Sequence, residues 1–90
     1  MKICRKVRVM HPRGLHIRPA TAIVKYLMPC KSAVHFAHQT ATVNAKSVLS
    51  LLSLAAAYDS CIQIHAEGED AEEIVDNLIK LFGDVFKESE

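Results

Sequence analysis

Ile62-Gln63-Ile64-His65-Ala66-Glu67-Gly68-Glu69-Asp70-Ala71-Glu72-Glu73-Ile74-Val75 changes its period at a glycine. Before it, Ile62, Ile64 and Ala66 alternate with Gln63 and His65, the pattern of a strand with one buried face. Gly68 breaks that pattern. After it, Ala71, Ile74, Val75, Leu78 and Phe82 recur at helical spacing, so an amphipathic helix follows. Asp70 is expected to cap this helix, with Glu73 completing a capping box. Glu67, Glu69, Glu72 and Glu73 add negative charge suited to its positive end. A strand with one wet face, leading directly into a one-sided helix, calls for a sheet covered by helices on a single face.

The chain upstream repeats the theme. Val7 and Val9 alternate with Lys6 and Arg8, a first strand, and His11-Pro12-Arg13-Gly14 ends it. From Pro19 onward Ala20, Ile23, Val24 and Leu27 trace a helix that Pro29 stops. Val34 and Phe36 alternate with Ala33 and His35 in a second strand. Gln39-Thr40 is a turn of unusual composition, and Ala41-Thr42-Val43 a short third strand. Ser47 stands in the capping place before the apolar Val48, Leu49, Leu51, Leu52 and Leu54. The expected order is β-α-β-β-α-β-α, an open-faced α/β (α+β) sandwich with a mostly antiparallel four-stranded sheet, in one domain over residues 1–90. No repeat, linker or low-complexity tract interrupts it.

Composition narrows the function. The chain has 90 residues, half of them hydrophobic, and a formal charge of +1. That balance, with two Tyr, three Phe and no Trp, argues against nucleic-acid binding. No apolar run is long enough to span a membrane, and no apolar stretch follows the N-terminal charges as a signal peptide requires. A cytoplasmic location is expected. Cys4, Cys30 and Cys61 are odd in number and far apart, which reads as reduced, half-buried thiols rather than a disulfide or metal framework.

The chemistry concentrates in Gly14-Leu15-His16-Ile17-Arg18-Pro19-Ala20. Proline suits the first turn of a helix, so the helix starts close by. Arg18 is favoured as the cap, since residues before proline avoid the α region, and a start directly after His16 is the alternative. Either places His16 beside unpaired backbone amides and the positive helix end, an anion site. Arg18 adds a planar donor fork suited to phosphate. The same positive field disfavours the imidazolium, so a neutral, nucleophilic His16 is expected. The plain alternative is an inert surface histidine near a helix end.

Pro12-Arg13-Gly14-Leu15-His16-Ile17-Arg18-Pro19-Ala20 resembles the active-site loop of the HPr family, the histidine-containing phosphocarriers of the bacterial phosphoenolpyruvate–sugar phosphotransferase system. Val43-Asn44-Ala45-Lys46-Ser47-Val48-Leu49 is similar to the segment around that family's regulatory serine, and Ile62 to Asp70 to its last strand. The resemblance runs from about Val7 to Phe86 and implies the same β-α-β-β-α-β-α sandwich. It implies that His16 takes a phosphoryl group on Nδ1 from Enzyme I and passes it to a sugar-specific A component or a regulatory protein, with Arg18 assisting. The chain would act as a monomeric carrier in a relay, needing no cofactor or metal. Ser47 would be phosphorylated by HPr kinase. Val48, Leu49 and Leu52 would form a docking patch. Capping alone also accounts for Ser47, and the core for some of the leucines. An alternative role is a regulatory module read by transcriptional regulators mainly through phospho-Ser47.

Several positions depart from the family. Arg13 stands where Asn is common, and Ile17 where a small residue is usual. Ser50 and Ala55 replace frequent glycines, and Gln39-Thr40 replaces an Asn-Gly-like turn. His35 and His38 fall on opposite faces of a strand, which argues against a metal pair. His11 and His65 are read as solvent-facing or edge residues without partners.

Overall fold

A computed structural model describes residues 1–10 and 12–88, with side chains described to residue 83. The strands are β1 (Lys2–Arg8), β2 (Ala33–His38), β3 (Ala41–Asn44) and β4 (Cys61–Glu67). The helices are α1 (Ile17–Leu27), α2 (Val48–Ser53) and α3 (Ala71–Glu88). Their order in the chain is the expected one. The strands form one sheet in the order β1-β4-β2-β3, antiparallel at every pairing. The architecture is an open-faced α+β sandwich.

Alternation decides which face is covered. Ile62, Ile64 and Ala66 of β4, with Val34 and Phe36 of β2, point inward and are buried. Pro19, Ala20, Ile23 and Leu27 of α1 pack beneath them, as do Ala71, Ile74, Val75, Leu78 and Phe82 of α3. The rings of Phe36 and Phe82 lie 5.8 Å apart at 40°, within the range for an attractive aromatic pair. β4 and β2 sit inside the sheet, and β1 forms an edge carrying Lys2, Arg5, Lys6 and Arg8. Cations on an edge strand discourage pairing with another chain.

Three expectations change. β1 begins at Lys2, well before Val7, because its ladder with β4 runs from Lys2↔Glu67 to Arg8↔Cys61. Interspersed cations mask Ile3 in a plain reading of the sequence. Val9 is buried just beyond the strand. The capping box at α3 is absent: Asp70 precedes the helix, but its carboxylate accepts the amides of Lys31 and Ser32 at 3.1 and 3.0 Å and the Ser32 hydroxyl. Those bonds, the Ser32 hydroxyl first, hold the Asp70 carboxyl below the ordinary carboxylate range. Gly68 admits the close approach, since a Cβ there would lie 2.8 Å from Ser32 Cα. Finally, Cys4 and Cys61 are exposed, and only Cys30 is partly buried.

Two family-departing positions keep a left-handed backbone without glycine. Gln39 has φ 56° and Ala55 φ 52°. Such a conformation costs a non-glycine residue roughly 1–2 kcal/mol.

Candidate functional site

The site grows out of a loop that cannot move freely. Gly14 has φ +73°, and a Cβ there would fall on the Ala56 carbonyl oxygen and lie 2.9 Å from Ala57 Cα. Only glycine tolerates both demands. The next residue, Leu15, is 5% exposed and donates its amide to the Ala56 carbonyl at 2.8 Å. The segment that holds Leu15 is itself tied down, by Val9 N–H to Ser60 O at 3.0 Å and Asp59 N–H to Val9 O at 2.6 Å. His16 is thus delivered from a pinned loop.

His16 is the N-cap of α1, in extended conformation at φ −107°, ψ −171°. The open choice between Arg18 and His16 is settled by the Ala20 amide, which donates to the His16 carbonyl at 3.1 Å and closes the first helical turn. Pro19 is therefore the third helical residue and has no N–H to offer. The His16 side chain makes no capping bond, and the first turn contains no acid. The amides of Ile17 and Arg18 meet no acceptor among the described residues. The positive helix end is left for an external anion.

The ring is half-buried, and Nε2 is the nitrogen enclosed away from solvent. Arg18, two residues on, is exposed and makes no side-chain bond among the described residues. Its guanidinium is able to swing toward an anion beside His16. Arg13 is exposed on the loop, and His11 lies outside the described residues.

The second candidate region is α2. Ser47 is its N-cap and accepts the Ser50 amide on Oγ at 3.2 Å. Leu49 is 80% exposed, while Val48 and Leu52 are partly buried against the core and Leu51 is fully buried. One member of the expected patch stands clear, and two straddle the surface. A further apolar residue escaped functional notice in the sequence: Ile17, directly after His16, is 63% exposed. Its signal was a β-branched residue off the apolar stripe of α1.

The other candidates separate. His38 Nδ1 lies 3.3 Å from the Leu54 carbonyl, and His35 is on the opposite, open face. His65 is exposed but lies on an interior strand, with Nε2 3.3 Å from Gln63 Oε1. Burial, seconded by Asp70, pushes the Cys30 thiol up against the lowering effect of Lys46, which suits an inert thiol. Among the described residues, no helix is long and apolar enough to cross a membrane.

Comparison with known proteins identifies the family. A family model described as the PTS HPr component phosphorylation site matches residues 3–84. Phosphocarrier protein HPr of Chlamydia muridarum is 35% identical over 80 residues, covering 89% of this chain and 77% of its own. The protein of that name from Buchnera aphidicola subsp. Schizaphis graminum is 38% identical over 76 residues, covering 84% and 87%. A crystal structure of phosphocarrier protein HPr from Bacillus anthracis superposes with a TM-score of 0.83 at 34% identity, over 89% of this chain and 95% of that one. Fold, site loop and sequence agree: the chain belongs to the HPr phosphocarrier family of the phosphotransferase system.

Proposed function

We propose that this chain accepts a phosphoryl group on Nδ1 of His16 from phosphoenolpyruvate-charged Enzyme I and passes it to sugar-specific A components or regulatory proteins. The observation that carries the reading is the enclosure of Nε2 in a ring seated on an uncapped, acid-free helix start. Attack on phosphorus needs an open path to the nitrogen, and Nε2 lacks one. In the step, the Nδ1 lone pair forms the N–P bond while the bond from phosphorus to Enzyme I breaks and its electron pair returns to Enzyme I. The Ile17 and Arg18 amides and the Arg18 guanidinium then stabilise the phosphoryl oxygens.

The strength is suited to a carrier. One arginine contact supplies about 1.5–3 kcal/mol and a helix end about 0.3–1 kcal/mol. That slows loss of the group without trapping it. Exposed Leu49, with the partly exposed Val48 and Leu52, would meet the partner. The carrier would act as a cytoplasmic monomer and needs no metal or cofactor of its own.

Incubation with Enzyme I and labelled phosphoenolpyruvate should give an acid-labile, base-stable adduct. His16→Ala should abolish it while leaving the circular dichroism spectrum unchanged. A variant that still takes the label would refute the assignment.

Regulation at Ser47 is the second reading, favoured by its partly exposed place two residues before Leu49. A phosphate there would add about −1.5 to −2 charge beside the docking side chains and repel an acidic partner. HPr kinase with ATP should label the wild type and not Ser47→Ala. If regulator binding is lost in Ser47→Ala and kept in His16→Ala, the module acts mainly through the serine.

A further inference from the structure

The face of the sheet opposite the helices carries a row of metal-ligating side chains that phosphoryl transfer does not use. The register places Cys4 of β1 opposite His65 of β4, and His65 opposite His35 of β2. Each of the three belongs to the exposed set of its strand. Residues directly opposite on one face have Cβ atoms roughly 4.5–5.5 Å apart. His65 is therefore flanked on both sides by a donor at ligand-bridging range. The row borders a concavity of about 400 Å³ lined by Lys2, Cys4, Ala33, His35, His65 and Glu67. The small side chain of Ala33, opposite Glu67, opens that hollow beside the two imidazoles.

We propose that His35 and His65 form a two-imidazole seat for a borderline transition-metal ion, Zn²⁺ being the representative, with Cys4 as a third ligand drawn in on binding. Among the described residues, no group of three or more His, Cys, Asp or Glu side chains is arranged to hold a metal ion as it stands. The seat is thus a chelating pair on a rigid ladder, completed by rotation of exposed side chains. Zn–N bonds of about 2.0–2.1 Å in a tetrahedral site put two ligand nitrogens roughly 3.3 Å apart. Two imidazoles leaning together from neighbouring strands reach that separation. His65 must give up its contact with Gln63 Oε1, a single exposed bond. Nitrogen and sulfur donors select zinc-like ions over magnesium or calcium. Cys4 binds as thiolate, its proton passing to solvent, and water fills the remaining position.

The test uses the full chain, reduced and metal-free, titrated with Zn²⁺ by calorimetry and with Co²⁺ by absorbance. One equivalent should bind, and Co²⁺ should show a thiolate charge-transfer band. His35→Gln or His65→Gln should each weaken binding at least as much as losing an outer-shell partner does, roughly 10–100-fold. Cys4→Ser should remove the band and leave weaker two-imidazole binding. All three positions are exposed, and circular dichroism checks the fold. Unchanged affinity in both His variants, or binding that follows His38→Gln or His16→Gln instead, overturns the proposal. A Co²⁺ band that persists in Cys4→Ser removes the thiol from it.

Discussion

Helices α1 and α3 begin in opposite ways. At α3, Asp70 precedes the helix and Glu72 and Glu73 occupy its first turn, so the chain itself neutralises the positive end. At α1 a histidine stands at the cap, no acid enters the first turn and no side chain caps it. The first start is arranged for stability. The second leaves its charge to a ligand, and its position is secured from outside by Gly14, Leu15 and the Ala56 carbonyl. A helix start that is not closed by its own residues has to be held by its neighbours, and there the fold leaves room for chemistry.

Removing that outside hold should have the largest effect on stability. Gly14→Ala forces a Cβ onto the Ala56 carbonyl at positive φ and should cost about 2–4 kcal/mol in urea unfolding. A loss under 1 kcal/mol would mean the loop can be displaced cheaply.

Arg18→Ala tests the external charge. Losing about 1.5–3 kcal/mol of contact to a charged group should slow phosphoryl acceptance roughly ten- to a hundredfold, with little change in stability, since Arg18 is exposed. Rapid-quench kinetics with phosphorylated Enzyme I reads it directly.

At the other helix, the Asp70 carboxyl is held below the ordinary range, by Ser32 first. Its stabilisation is present above the unfolded-state value and is lost as pH falls through the lower folded value. Thermal unfolding across acidic pH should therefore show a limb that flattens in Asp70→Asn, whose melting temperature also drops at neutral pH. An unaltered acid limb would deny the carboxylate this role.

The smallest effect is the most pointed. Ile17→Glu gives α1 the acid that α3 already has. Compared with Ile17→Gln, it should raise stability by about 0.3–1 kcal/mol and at the same time slow phosphorylation. If both quantities move the same way, the contrast between the two helix starts is wrong.

Much of this was readable before any coordinates. Among the described residues, the buried positions of α3 are the five that helical spacing selects, and the inward set of β4 is the one its alternation selects. Local patterns of this kind report burial because each side chain's direction follows from its own backbone period. β1 was under-read because cations interrupt its pattern, and an edge strand needs those cations. The capping box failed because Asp70 found partners 38 and 39 residues away, which compete equally well for a carboxylate. At Ala55 the departure from glycine left the backbone in the left-handed region, since the surrounding loop demands it.

By itself the sequence determined the elements, the covered face and the candidate histidine at the start of α1, all of which depend on residues a few positions apart. Strand order, the insertion of β4 between β1 and β2 and the row Cys4–His65–His35 were decided only by the tertiary structure. The physical reason is separation along the chain: these features rest on contacts between segments tens of residues apart, and a pairing register has no local signature until both strands are in the same sheet.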